Sequence, residues 1–441
     1  MNMLNWILLA LSGIIILSYL FDAFAHHSRI PSVVLLIVSG ILSRILLDYF
    51  GFSIPLLDVL LPIVGTLGLI LIVLEGALDL KISRDNMGLI ARATICSLLG
   101  LLITGGLIAS LLHYWFDASW HLSWLYAVPM AVISSAVAIP AAASLSAKLR
   151  EFVIYESSIS DIAGVLLFYA LLEGHGNFGL RALTSVGDVG MSLAVGLISA
   201  IVLYWLISRI EAHVRFVPMI AGIALLYAGA KLLHLAPLVI VMVVGLILNN
   251  FVLVKPLPLI RRIRSYNFGE ELDTFKHLVA EATFVIRTFF FVLLGYSTLI
   301  SDLMSIQVWV IASAVVACYV IPRIGLLFFF SIDKRIEPLL WFAPKGLITI
   351  LLLFSIPDTE IIANFPNGAV MLLVLMSALL LTFGNLRYGK ENKAKKAEAE
   401  AETQPMSYSG VMTIAEANST ATPQAPTLSD EKLDKDTKLP N

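Results

Sequence analysis

Charge is scarce in this chain. Only 14% of its 441 residues are Asp, Glu, Lys or Arg, against 59% hydrophobic residues, and the mean hydropathy is +0.91. A soluble domain could not hide that much apolar surface, so the composition excludes an ordinary globular protein and points to a polytopic membrane protein. Cysteine is nearly absent. Cys96 and Cys318 lie far apart in apolar runs, which gives neither a disulfide framework nor a metal spacing and reads as two buried thiols. There is no basic block of the size that nucleic acid needs, and no nucleotide-binding fingerprint in the tail, so neither nucleic acid nor a cofactor is expected. Residues 1–5 hold no Lys or Arg. Although Ala23-Phe24-Ala25 mimics a cleavage site, the first apolar segment lacks the basic start of a signal peptide and reads as a spanning helix.

What the chain does have is a succession of apolar runs near twenty residues, each the length of a bilayer-spanning helix. They fall at about 4–21, 30–50, 56–78, 88–112, 122–146, 151–173, 187–208, 216–235, 237–254, 274–300, 305–330, 338–356 and 367–386. The expected fold is therefore all-α, with about 13 transmembrane helices. Loop charges alternate with this count. One set of loops carries Arg29, Lys81, Arg84, Arg92, Lys148, Arg150, Arg209, Arg215, Lys255, Arg261, Arg262, Arg264, Lys276, Lys334, Arg335, Arg387 and Lys390, and the opposite set only Arg44, Arg181 and Lys231. The positive-inside rule then places the C-terminus in the cytoplasm and the N-terminus outside a cell membrane. Residues 1–388 read as the transmembrane domain. Residues 389–441, rich in Lys, Glu, Ser, Thr and Pro, read as a cytoplasmic tail, helical at first and then disordered.

Four charges well inside spans call for explanation, Glu156, Asp161, Arg287 and Arg323, and Lys345 is a fifth, nearer a helix end. An ionisable residue in hydrocarbon is costly and marks a functional site or an ion pair. Five residues apart, Glu156 and Asp161 differ by about 140° around a helix. Ser157 and Ser158 share the face of Asp161, and Ser160 that of Glu156. A carboxylate with neutral oxygens beside it suits a small hard cation or a proton in its place, and competition between the two suffices for exchange. Glu156, on the other face, is offered to a basic partner. Two further segments are interrupted: "YAVPMAVISSAVAIPAAASLSAKL", where Pro129 and Pro140 bracket Ser134 and Ser135, and "WFAPKGLITI", where Pro344 and Gly346 flank Lys345. Broken helices in corresponding halves of a chain point to a transporter binding site. A membrane hydrolase is disfavoured, because the eight histidines sit near helix ends and no Ser/His pairing is readable.

Four stretches, in order, resemble the monovalent cation–proton antiporters on the sodium/proton exchanger branch. "YESSISD" resembles the Gly-Glu-Ser-x-x-Asn-Asp helix, with Glu156, Ser157 and Asp161 in matching places. "FFFVLLGYSTL" resembles the tenth helix, and "YVIPRIGLLFFF" the eleventh, with Arg323 at its buried Arg. "WFAPKGLITI" resembles the Gly-Leu-Arg-Gly helix, with Lys345 where Arg is usual. The resemblance implies inverted repeats with two crossed, interrupted helices, and Asp161 as the site of proton and cation. It also implies a Glu156–Arg323 structural bridge, a core moving like an elevator against a scaffold, and a homodimer. Na+ is the expected cation and K+ the alternative; a cation channel or a non-transporting sensor is the remaining one. The sequence departs from the family pattern in three places. Ser160 replaces the Asn before the key Asp, "SAVAIP" replaces Thr-Asp-Pro, and Arg287 offers Glu156 a second arginine. With position 160 neutral, the expected exchange is electroneutral.

Overall fold

Helix is the only regular element that lets each apolar run satisfy its own backbone groups in hydrocarbon. The computed structural model describes residues 3–28, 31–51, 57–81, 87–172, 178–209, 216–233, 235–251, 268–331, 337–366 and 368–403, and their regular structure is entirely helical. In order these are α1 (Met3–Ser28), α2 (Ser32–Tyr49), α3 (Leu57–Asp79), α4 (Met87–Phe116), α5 (Trp120–Ala131), α6 (Ser135–Ala141), α7 (Ala147–Leu172), α8 (Phe178–Arg209), α9 (Phe216–Leu232), α10 (Pro237–Asn249), α11 (Phe268–Ser297), α12 (Ile300–Met304), α13 (Ile306–Phe330), α14 (Glu337–Leu340), α15 (Leu347–Phe354) and α16 (Gly368–Thr403). Eight helical segments among the described residues are long and apolar enough to cross a membrane, one of them Trp120–Ser144 with its interruption, and shorter apolar helices lie within α1, α8, α9 and α10. Arg29, Arg84, Arg215, Lys255, Arg261, Arg262, Arg264, Lys334, Arg335 and the tail beyond 403 lie outside the described residues.

The chain divides into two compact units, Met1–Asn392 and Lys393–Asn441. The described part of the second, 393–403, is helical. Within the first, α11 packs along α2 and α3, and α10 against α3, α8 and α9. The α2–α11 crossing is close because both helices present glycine: a Cβ at Gly40 would collide with the Val292 carbonyl oxygen, and one at Gly295 with that of Ile37. On the other side α4 packs against α5, α7 and α13, while α5 and α15 pack together. Cys96 is buried in α4; Cys318, expected to be buried, is only half-covered.

Candidate ion-binding site

Two chain segments lose their helix in mid-course: α5 and α6 are separated at Val132–Ser134, and α14 and α15 at residues 341–346. Each break strands carbonyls at the end of its first half and N–H groups at the start of its second. The structure meets that need by crossing the two breaks over each other and over α7. Ser134 N–H donates to the Pro344 carbonyl at 2.9 Å. Gly346 is extended (φ -154, ψ -148), so glycine is needed there for space and not for conformation: a Cβ would collide with Ser134 Oγ. A Cβ at Gly164 of α7 would likewise strike Val132 Cγ2, so this glycine lets the first break lie against α7.

Two buried cations answer the stranded carbonyls. Lys345 Nζ, 1% exposed, donates to Ala131 O (2.8 Å) and Val132 O (3.0 Å) at the end of α5, and its remaining side faces the Tyr319 ring, 4.6 Å from the centroid. Positive charge belongs at a helix C-terminus. Arg323 does the same for the second segment, with Nε and Nη2 donating to Leu339 O at 3.1 and 2.9 Å and Nη2 to Phe342 O at 3.2 Å. Its Nη1 and Nη2 also meet Glu156 Oε1 and Oε2, both at 2.8 Å. Such bidentate geometry offsets much of the cost of burying both charges. Cys96 Sγ adds a weak donor to Glu156 Oε1 at 3.4 Å.

Asp161, buried on α7, meets the first break differently. Its Oδ2 accepts the Ser135 N–H at 3.0 Å, and the Ser135 hydroxyl lies beside the same carboxylate. Its Oδ1 has no hydrogen-bond partner among the described residues, nor do the buried hydroxyls of Ser134, Ser158 and Thr349. Lys345 is the cation whose field reaches it. The other expected ligands are placed less directly. Ser157 donates to the Val153 carbonyl one turn back (2.7 Å), and Ser160 Oγ accepts the Ile133 N–H (3.0 Å), so both hydroxyls already serve the backbone. A cavity of about 20 Å³, enough for one water, is lined in part by Ile133, Ser160, Arg323 and Lys345.

Arg287 is not brought to Glu156. Its Nη1 donates instead to the Ala136 carbonyl of α6 at 3.2 Å. Sequence reasoning also passed over Glu75 of α3, which lies in the field of Arg287 and beside Thr283. An acid inside "LIVLEGALDL" was signal enough to find it. Thr349 of α15, whose buried hydroxyl has no partner among the described residues, was missed for want of any charge.

An all-helical membrane protein with two interrupted helices crossed at a buried carboxylate is built as a secondary transporter. The chain belongs to the sodium/hydrogen exchanger family, whose transmembrane-domain profile matches residues 12–384. The fold is that of the sodium/proton antiporter MjNhaP1 from Methanocaldococcus jannaschii. Its structure at pH 8 superposes with a TM-score of 0.65 at 20% identity, covering 88% of this chain and 99% of that one. A structure from an electron-microscopy map of the same antiporter gives a TM-score of 0.60 at 20% identity, covering 92% and 99%. No curated protein sequence matches. Cation/proton antiport is the activity of the family, which is one of transporters and not of enzymes.

Proposed function

We propose that this protein exchanges Na+ for H+ by alternating access, with the Asp161 carboxylate holding one or the other. The observation that carries the reading is the asymmetry of that carboxylate. Oδ2 is fixed by the Ser135 N–H, while among the described residues buried Oδ1 has no partner and the Ser134 and Ser158 hydroxyls are likewise unpartnered. A hard cation is bound by such oxygens, and a proton on Oδ1 removes the charge that holds it. Ser134, Ser135, Ser157 and Ser158 supply neutral oxygens; Ser160 holds the break in place. Lys345 and Arg323 offset the charge at the broken helix ends and stay bound throughout. Glu156 is structural.

Position 160 is neutral, so the cycle moves one charge each way and is electroneutral. The protein works as a multi-pass homodimer in the cell membrane, with residues 389–441 as a cytoplasmic tail. Proteoliposomes containing a pH-sensitive dye, challenged with Na+, K+ and Li+, test the reading. Na+ is expected to move protons at the lowest half-maximal concentration, and Asp161→Asn to abolish the response in a protein that still folds. Exchange retained by Asp161→Asn would sink the site.

A further inference from the structure

Pro140 sits inside α6, where residue 140 would ordinarily give its N–H to the carbonyl of Ala136. Proline has no N–H, so that carbonyl is left without its helical donor. Arg287 of α11 fills the gap: its Nη1 lies 3.2 Å from Ala136 O. Ala136 follows Ser135, whose N–H holds Asp161 Oδ2 at 3.0 Å. The guanidinium thus grips α6 one residue from the group that orients the carboxylate. Its surroundings are built to keep it charged and in place. Phe284 lies 5.9 Å from the guanidinium carbon to its ring centroid, and the Glu75 carboxyl of α3 lies within its electrostatic reach. The same helix brings its neighbouring residue Gly76 to the Ser135 hydroxyl, where an added Cβ would sit 3.7 Å from Oγ.

We infer that Arg287 is a positioning residue for the exchange reaction: it replaces the donor that Pro140 removes, and so fixes α6, Ser135 and through them Asp161. This rests on Asp161 being the ion site. Arg287 gives its hydrogen bond to α6 and not to Asp161. Two effects of its charge oppose each other. Removing a cation near the site would by itself favour Na+ binding, whereas loosening α6 weakens it. A charge-assisted hydrogen bond to this part-buried carbonyl, whose helical donor is missing, is strong enough for the second to dominate.

A double-mutant cycle in proteoliposomes tests the inference, with maximal rate and half-maximal Na+ concentration read separately. Arg287→Gln is expected to raise the half-maximal concentration about tenfold while leaving the maximal rate within about threefold. Arg287→Lys, which keeps the charge and a donor, is expected to recover most of that loss. In a Pro140→Ala background, where residue 140 again offers an N–H to Ala136, the penalty of Arg287→Gln is expected to shrink to about twofold. An undiminished penalty in that background overturns the inference, as does a lowered half-maximal concentration in Arg287→Gln. If Arg287→Gln alone does not fold, recovery of folded protein in Pro140→Ala/Arg287→Gln supports the inference and failure to recover it counts against it. Absence of exchange in the unmutated protein would instead overturn the functional reading.

Discussion

Glu156 and Asp161 share one helix and are both buried, yet their loss should have different consequences. Glu156 holds both ends of a guanidinium that also caps the Leu339 and Phe342 carbonyls. Removing one partner of a buried pair leaves the other uncompensated, at a cost of about 3–5 kcal/mol. Glu156→Gln is therefore expected to lower the melting temperature in detergent markedly. Asp161 Oδ1 has no partner among the described residues, so Asp161→Asn is expected to melt close to the unmutated protein while failing to exchange. Equal melting of Glu156→Gln and the unmutated protein would contradict the structural role. At this scale the sequence was partly legible. A spacing of five announces two directions, and the carboxylates do address different partners. The destination of Arg287 was not readable, since the carbonyl it meets lies 151 residues away in the chain. Glu75 was readable, by the same burial-cost argument that singled out Asp161.

Among elements, the interrupted segments carry the most information. Their prolines pointed to broken helices, but the first break falls between Pro129 and Pro140, not at either one. Proline weakens the local ladder, and tertiary donors decide where it opens: Ser160 receives Ile133 N–H and Pro344 receives Ser134 N–H. Those partners lie 27 and 210 residues away, beyond any local pattern. Gly164 sets how closely the break approaches α7. Gly164→Ala would press a methyl group against Val132, an overpacking that costs about 1–3 kcal/mol. The variant is expected to melt earlier and exchange more slowly, and adding Val132→Ala should return part of both. A second substitution that merely compounds the first would show that the contact is not what Gly164 protects.

For the whole molecule, the charge inventory of the site bears on energetics. Arg323 and Lys345 are held by carbonyls and, for Arg323, by Glu156, so neither cation need change partner in the proposed cycle of cation and proton on Asp161. Exchange rates measured in proteoliposomes at clamped potentials are expected to be independent of voltage, and a current that scales with potential would contradict the one-for-one cycle. The helical architecture was legible from apolar run lengths alone, because hydrocarbon leaves the backbone few choices. How the helices group was not, because small-residue contacts such as Gly40 with Gly295 pair segments far apart in the chain. The grip of Lys345 on α5 has a consequence for biosynthesis. Ala131 leaves the ribosome 214 residues before the lysine that caps it. At ordinary elongation rates its carbonyl waits on the order of ten seconds or more for that donor. Until then residues 120–144 are a half-finished span with unmet polar groups, which makes them dependent on the translocon or on a chaperone for shelter.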